Sequence, residues 1–273
     1  MDAIQEPPLF WVAHVDPMRA RKSAPQTMAE NSTPKNSQFE RGDPESHPAA
    51  VRKHEERRRA ALFDMDKTLL SANTAWLYTQ HRRRQGEVGL RELARVSYWL
   101  LQYSMGIVDA ERIARTALRD YAGRAASALA QTSDSWFKEH VRGYVRERAR
   151  GVVEAHRRAG DHLAIVTGAT RYAAEPLARE LGIDHVVCSE LEVDSEGRLT
   201  GLPNDPICYG VGKLQRTEQL ASRLGFRIEE AAFYSDSITD LPLLERVGTP
   251  VAVCPDRRLR SLARRRGWRV EEW

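Results

Sequence analysis

A short apolar run ends in two closely spaced aspartates near residue 60 of this 273-residue chain. Residues 60–63 are apolar, and Asp64 and Asp66 follow on either side of a methionine. Such a run is typical of a strand buried on both faces of a parallel sheet, and open α/β sheets hold their ligands at the carboxyl ends of their strands. Two carboxylates this close repel each other, so they need a proton or a cation between them. An acidic turn after a strand is the alternative interpretation.

The composition indicates a folded protein with an anionic partner. Lysine and arginine number 42 against 38 acidic residues, which gives a formal charge of +4. This balance fits a phosphorylated small molecule, a nucleic acid or a lipid surface and does not choose among them. The three cysteines, Cys188, Cys208 and Cys254, match no zinc or redox spacing, so we expect free thiols in a reducing compartment.

Nothing in the sequence predicts membrane insertion or secretion. The longest apolar stretch, residues 96–108, is interrupted by polar residues and is too short for a membrane span. No basic segment followed by an apolar run and a small-residue cleavage site begins the chain. We therefore predict a cytoplasmic protein without a membrane span.

The first and last parts of the chain differ in pattern. Residues 1–57 are polar, rich in proline and without a sustained period, which predicts a disordered tail. From residue 151 onward, strand and helix patterns alternate, as they do in a parallel sheet. We expect a hairpin turn at 194–197 and helices that stop at Gly182 and Gly225. The predicted strands after the first are 163–166, 185–192, 198–202, 231–234, 251–253 and 268–270, and helices are predicted over 152–158 and 213–224, with a basic helix after 253.

The region between the first strand and this alternation reads as helical. Between residues 74 and 150, apolar residues recur at three- and four-residue steps, which predicts a bundle of about four helices. Gly106, Gly123 and the Ser133–Asp134 pair are predicted to mark breaks, the last as a new helix N-cap. The predicted fold is therefore α/β: a Rossmann-like parallel sheet core (58–73 and 151–273) with a helical-bundle cap (74–150) inserted after the first strand.

Polar residues follow three of the predicted strands. Parallel strands bring their carboxyl ends to one edge, so these residues converge although they are distant in sequence. The set suits phosphoryl transfer, because aspartate oxygens hold Mg²⁺ and a nearby carboxylate attacks phosphorus. The residues are Asp64 and Asp66, then Thr167 and Gly168, then Asp236 and Asp240, with Lys213 at the start of a helix.

Each of these residues has a role in this hypothesis. Asp64 and Asp236 are the predicted Mg²⁺ ligands. Thr167 offers a hydroxyl group, Gly168 an open amide and Lys213 a positive charge to the phosphate. Asp66 then gives a proton to the leaving alcohol and takes one from water.

Taken singly, each feature has a structural alternative. Thr167 is compatible with a strand-end cap, and Lys213 with a solvated helix start. Asp236 and Asp240 fit the acidic first turn of a helix. The Gly-Val-Gly-Lys run that ends at Lys213 is not a phosphate loop, because Leu214 stands where that motif requires Ser or Thr. The appearance of each group after its own strand is what favours a catalytic site.

This constellation resembles the haloacid dehalogenase superfamily, in particular its phosphoserine phosphatase-like branch (subfamily IB). Asp64 to Thr68 look like the first motif, Thr167 the second, Lys213 the third, and Asp236 with Asp240 the fourth. The helical insert after the first motif and the segments 234–244 and 265–268 also resemble that branch. The resemblance implies Asp64 as nucleophile and Asp66 as general acid/base. It also implies Mg²⁺ held by the Asp64 carboxylate, the Asp66 main-chain carbonyl and Asp236, with Asp240 in support.

Two positions depart from the pattern of the phosphoserine phosphatases. Asn73 stands where those enzymes carry a glutamate that helps to hold the amino group of the substrate, and Thr239 stands where they tend to have asparagine. Asn73 is therefore a predicted determinant of substrate specificity, and phosphoserine itself is not favoured as substrate.

The predicted function is a Mg²⁺-dependent phosphatase that hydrolyses a small phosphorylated metabolite through an aspartyl-phosphate intermediate. The alternatives are a phosphotransferase or lipid-headgroup phosphatase of the same branch and, outside enzymes, a protein that binds an anionic ligand or nucleic acid. No basic-aromatic nucleic-acid motif is present, so no nucleic-acid partner is expected.

Overall fold

The computed structural model describes residues 58–86 and 118–273, together with positions 89, 90, 94 and 115. The predicted tail, the apolar stretch 96–108 and the break at Gly106 lie outside the described residues, as does much of the predicted bundle. The described chain forms a seven-stranded sheet in the order β4-β3-β2-β1-β5-β6-β7. Its strands are β1 (Ala60–Phe63), β2 (His162–Thr170), β3 (His185–Val193), β4 (Leu199–Asn204), β5 (Ala232–Ser235), β6 (Thr249–Val253) and β7 (Arg269–Glu271).

The sheet is parallel except for the β3–β4 hairpin at one edge. β1 lies at its centre and pairs in parallel with β2 on one side and β5 on the other. β3 and β4 pair antiparallel through the predicted turn, in which Gly197 has a φ of +75°. The predicted α/β fold with a parallel sheet is confirmed.

The central strand is buried on both faces, as its unbroken apolar run predicts. Ala61 and Phe63 pack into one core cluster, and Ala60 and Leu62 into a second. Side chains alternate between the two faces of a strand, so one four-residue segment contributes to both layers of the core. Helices cover both faces of the sheet.

Seven α-helices have both ends within the described part of the chain, and short 3₁₀ and π turns lie between some of them. None of them is long and apolar enough to cross a membrane. α4 and α5 end at Gly182 and Gly225, both in the left-handed conformation, as predicted. The helices are α1 (Thr74–Arg84), α2 (Ala126–Trp136), α3 (Glu147–Arg158), α4 (Arg171–Leu181), α5 (Val211–Leu224), α6 (Leu241–Leu244) and α7 (Arg257–Arg266).

Two local predictions in the helical region are wrong. Ser133 and Asp134 do not begin a helix but lie inside α2, where the Ser133 hydroxyl donates to the Leu129 carbonyl at 2.8 Å. A serine can satisfy its hydroxyl on the preceding turn, so a Ser-Asp pair does not by itself mark an N-cap. α3 begins at Glu147, five residues before the predicted start at 152. The predicted break at Gly123 is present as a turn with a φ of +81°.

The chain leaves and re-enters the sheet through two paired linkers. Leu70 forms an antiparallel bridge with Val145, and the Ser71 amide donates to the Tyr144 carbonyl at 2.9 Å. The Arg146 amide donates to the Leu69 carbonyl at 3.0 Å. The insert between these two linkers, which contains most of the predicted cap, therefore begins and ends beside the loop that carries Asp66.

The cysteines behave as predicted from their spacing. Cys188, Cys208 and Cys254 are all free. Burial raises the pKa of the Cys188 and Cys208 thiols to about 12, so neither is a nucleophile at neutral pH.

Candidate active site

An ion-pair cluster lies at the carboxyl end of β1. Asp64, the first residue after the strand, accepts a hydrogen bond through Oδ1 from Lys213 Nζ at 2.9 Å. The same ammonium group lies 2.8 Å from Asp240 Oδ2 and 2.7 Å from Oδ1. Lys213 is only 3 % exposed, and an ammonium group at that depth is costly unless it is paired. The alternative of a solvated helix start is therefore wrong for Lys213.

Gly212 lets α5 begin close to the loop before it. A Cβ on Gly212 would lie 2.0 Å from the Ile207 main-chain oxygen, so any side chain there would push the first turn of α5 away. Lys213 is the next residue and takes its position from this contact. Gly212, the second glycine of the Gly-Val-Gly-Lys run, therefore allows the start of α5 to pack closely against Ile207.

The end of β5 is held by a chain of hydrogen bonds. The Ser235 hydroxyl donates to Asp240 Oδ2 at 2.7 Å, and the Ser237 amide donates to Ser235 Oγ at 3.1 Å. The Asp236 main-chain oxygen accepts from the Asp256 amide at 2.8 Å. Asp240 is 2 % exposed and binds both Lys213 and Ser235, so it fixes the loop that carries Asp236.

Asp66 lies on a sharply turned loop and points to the start of α1. Its carboxylate accepts from the Thr74 amide at 3.0 Å, the Thr74 hydroxyl at 3.1 Å and Asn73 Nδ2 at 3.1 Å. Lys67, the next residue, has a φ of +60°, which is uncommon for a residue with a side chain and clusters at functional sites. After this turn the chain comes back to Asp66, which binds Asn73 and Thr74, whereas Asp64 binds Lys213.

Thr167 and Gly168 lie in a bulge rather than after the end of β2. Val166 pairs with Val187 and Thr170 pairs with Ser189, so four steps along β2 match two along β3. The predicted end of the strand at residue 166 is wrong, because pairing resumes at Thr170 after the bulge. The register pairs Phe63 with Ile165, which brings Thr167 to the edge occupied by Asp64. Such bulges re-aim side chains next to active sites.

Hydrogen bonds hold this bulge in place. The Gly168 carbonyl accepts from the Ser189 hydroxyl at 2.9 Å, and the Ala169 amide donates to Thr167 Oγ1 at 3.2 Å. Thr167 is buried. Within the described residues, Thr167 and Gly168 share this edge with Asp64, Lys213 and Asp240 but form no hydrogen bond with them.

Burial and like charges raise the pKa values of three aspartates. Burial raises the pKa of Asp64 to about 7, with Lys213 acting against it and Asp240 adding to it. Burial raises the pKa of Asp66 to about 6, although its hydrogen bonds from Thr74 oppose the shift. The pKa of Asp236 is also well above its usual range, through burial first and the charge of Asp64 second. The site therefore concentrates more negative charge than Lys213 neutralises.

This excess of negative charge fits a divalent cation. Among the described residues, no group of three or more His, Cys, Asp and Glu side chains is arranged to enclose a metal. Mg²⁺ does not need such a cage, because it keeps several waters and takes one or two carboxylates together with substrate oxygens. The pair of Asp64 and Asp236, in which one charge raises the pKa of the other, is a donor set of that kind.

Three residues of the site were not found by sequence reasoning. Thr74 supplies two of the three hydrogen bonds to Asp66, Ser235 supports Asp240, and Asp256 binds the Asp236 loop. Ser235 is the last residue of β5 and Asp256 follows β6, so both lie at the end of a buried strand, which is the pattern that identified the other site residues. Thr74 carries no such signal, because it lies beside Asp66 only after the chain turns back at Lys67.

The sequence matches the haloacid dehalogenase-like hydrolase family over residues 61–245. The chain belongs to this family. It is 30 % identical over 218 residues to phosphoserine phosphatase SerB1 of Mycobacterium tuberculosis, covering 78 % of this chain and 70 % of the relative. It is 29 % identical over 214 residues to a histidinol-phosphatase of Neisseria meningitidis serogroup C, and the match covers 77 % of this chain and 96 % of that relative.

The fold is shared with the solved structure of a phospho-aspartyl intermediate analogue of phosphoserine phosphatase. That structure superposes with a TM-score of 0.59 at 18 % identity and covers 80 % of this chain and 94 % of its own. The predicted superfamily, its phosphoserine phosphatase-like branch and the prediction of a phosphatase are confirmed by these relatives.

Proposed function

We propose that this protein is a Mg²⁺-dependent phosphatase of a small phosphorylated metabolite and works through an aspartyl-phosphate on Asp64. The observation that carries the proposal is Lys213, buried and bound to both Asp64 and Asp240 at the carboxyl edge of the sheet. A lysine in this position keeps Asp64 oriented and offers positive charge to a phosphate that approaches it.

The reaction proceeds in two balanced steps. In the first, an Asp64 carboxylate oxygen bonds to phosphorus, the ester P–O bond breaks, and Asp66 gives a proton to the leaving alcohol. In the second, Asp66 takes a proton from water, the water oxygen bonds to phosphorus, and the P–O bond to Asp64 breaks. Inorganic phosphate leaves, and both aspartates return to their first state.

The raised pKa of Asp66 supports its part in this sequence. A pKa of about 6 lies near neutrality, so the carboxyl group can exist in both protonation states at the operating pH. The three hydrogen bonds from Asn73 and Thr74 fix its position for the transfer.

The remaining site residues bind the phosphate and the metal in this proposal. Thr167 and Gly168 provide a hydroxyl group and an amide to the phosphoryl oxygens, together with Lys213. Asp64, the Asp66 carbonyl and Asp236 would hold Mg²⁺, with Asp240 in support. When bound, Mg²⁺ offsets the negative charge of the phosphoryl group and of the attacking carboxylate.

The insert at residues 74–150 acts as a cap in this proposal. Its linkers pair at Leu70 and Val145, next to the Asp66 loop. A movement of the cap would therefore shift the general acid, Asp66. A closed cap excludes bulk water, which strengthens each charge interaction in the site.

The proposal is tested by phosphate release from a panel of phosphomonoesters with and without Mg²⁺. The panel contains phosphoserine and histidinol phosphate, because relatives carry these names, together with sugar phosphates, a phosphatidylglycerophosphate and an aryl phosphate. We expect Mg²⁺-dependent release by the wild type and a loss of at least about a thousandfold in Asp64→Asn, which keeps the shape but not the nucleophile.

A matched control is Asp184→Asn, an exposed aspartate just before β3 at the opposite end of the sheet. It should release phosphate at the wild-type rate. Wild-type turnover in Asp64→Asn would rule out the mechanism. A transfer of phosphate to an added alcohol in place of water would identify a phosphotransferase.

A further inference from the structure

Asp256 connects the helix that follows β6 to the loop that carries Asp236. Its carboxylate Oδ1 accepts from the Arg258 and Leu259 amides at 2.8 Å each, which caps α7. Its Oδ2 accepts from the Ile238 amide at 2.8 Å. Both oxygens of this one side chain are therefore used, one within its own helix and one on the Asp236 loop.

The main chain of Asp256 adds a second link to the same loop. Its amide donates to the Asp236 carbonyl at 2.8 Å. The carbonyl of Asp236 and the amide of Ile238 lie on either side of Ser237, so two bonds to one residue fix both peptide groups. The loop cannot rotate about Ser237 without breaking at least one of them. This restraint fixes the main chain from which the Asp236 side chain extends.

We infer that Asp256 is a positioning residue for the divalent cation, because it holds Asp236 in place toward Asp64. This inference rests on the proposed function. Phe63 pairs with Tyr234, so Asp64 and Asp236 follow the ends of neighbouring strands. Two carboxylates at one edge repel each other, and the contacts of Asp256 add to those of Asp240 in holding the Asp236 loop at this edge. The capped end of α7 provides that restraint, since its amides stabilise the Asp256 charge. Partners of this kind, behind the metal ligands, commonly change metal affinity 10- to 100-fold.

Two substitutions separate the bond to the loop from the cap of the helix. Asp256→Ser keeps an oxygen that caps α7, because serine is as good an N-cap as aspartate, but has no second oxygen for Ile238. Asp256→Asn also caps α7 with its one oxygen and then turns an amino group toward the Ile238 amide. The bond from the residue 256 amide to the Asp236 carbonyl does not depend on the side chain.

The matched control weakens α7 without contact to the loop. Ala263 is fully buried in α7 and packs in the core. Ala263→Gly adds backbone freedom and removes a buried methyl group, so it lowers the melting temperature. It leaves the bond between Asp256 and Ile238 in place.

The measurement is the dissociation constant for Mg²⁺ alone, from calorimetric titration of substrate-free protein, together with KM for an aryl phosphate at saturating Mg²⁺. We expect Asp256→Ser and Asp256→Asn to raise the Mg²⁺ dissociation constant about tenfold or more, with KM unchanged. Ala263→Gly should bind Mg²⁺ as the wild type does.

Wild-type Mg²⁺ affinity in both Asp256 variants would overturn the inference. An equal loss of affinity in Ala263→Gly would also overturn it, because the effect would then come from helix stability. A wild type that neither binds Mg²⁺ nor releases phosphate would overturn the proposed function itself, and the inference with it.

Discussion

Asp66 receives its hydrogen bonds from Asn73 and Thr74, the N-cap and the first residue of α1. Asn73 takes part twice, since its Oδ1 accepts from the Trp76 amide at 3.1 Å as an N-cap while its Nδ2 donates to Asp66. A glutamate at this position would lack that donor. The predicted role of Asn73 in substrate specificity stays a prediction, and the contacts add a role in orienting Asp66.

Removal of the Asp66 carboxylate should affect the two half-reactions differently. An aryl leaving group needs little protonation, whereas the attack of water still needs a base. For Asp66→Asn with an aryl phosphate, we expect a rapid burst of about one phenol per protein and then turnover lowered about 10²- to 10⁴-fold. Rapid-mixing kinetics measure this burst. A uniform loss without a burst would contradict the assignment of Asp66 to the water step.

Replacement of Asn73 separates its two contacts. Asn73→Ser keeps an N-cap oxygen for Trp76 but is too short to donate to Asp66. We expect a nearly unchanged melting temperature and a turnover of alkyl phosphates about ten- to a hundredfold lower, the usual effect of one hydrogen bond to a charged group. Steady-state kinetics and thermal unfolding on the same samples check both. Unchanged turnover would show that the Asn73 contact does not orient Asp66.

Among the elements, α5 shows how a helix start sets the position of a functional group. Its first turn is held close to Ile207 by the absence of a side chain on Gly212, and Lys213 follows directly. α3 offers a contrast, since Gly151 lies inside that helix with nothing within 4 Å of an added Cβ.

The two glycines give opposite predictions for the same substitution. Gly212→Ala should lower the free energy of unfolding by about 1–3 kcal/mol through overpacking and should displace Lys213, with a loss of activity. Gly151→Ala should raise it by about 0.4–1 kcal/mol, because alanine restricts the unfolded chain and favours the helix. Denaturant unfolding measures both. A stabilising Gly212→Ala would mean that the close approach at Ile207 is not required.

Over the whole molecule, the site aspartates make stability depend on pH. In the folded protein the pKa values of Asp64 and Asp66 are about 7 and about 6, above the ordinary pKa of 3.8 for an aspartate. In this window the folded state binds more protons than the unfolded state, so stability falls as pH rises. Metal-free protein should therefore lose stability from pH 5 to pH 8.

Added Mg²⁺ should reduce this loss, because a bound cation offsets the carboxylate charges. Asp236→Asn removes one of the charges, so the metal-free variant should show a weaker dependence on pH and little response to Mg²⁺. Thermal unfolding across pH, with and without Mg²⁺, checks both expectations. An increase in metal-free stability between pH 5 and pH 8 would contradict the raised pKa values.

The sequence predicted most of the sheet and most residues of the candidate site. The apolar run at β1, the turn at Gly197 and the helix stops at Gly182 and Gly225 all depend on local properties: burial, positive φ and chain reversal. Asp64 and Lys213 were identified because each stands at a fixed place relative to a strand or helix. These features are encoded by neighbouring residues.

Only the tertiary structure decided the features that depend on distant parts of the chain. The bulge in β2 follows from its register with β3, and the pairing of Lys213 with Asp64 joins residues 149 positions apart. Thr74 and Asp256 matter because a turn and a helix end place them beside Asp66 and Asp236. The sequence by itself determined which residue types stand at the ends of the strands. Packing of the strands and helices decided which of those side chains meet, because contacts over such separations depend on the assembled core.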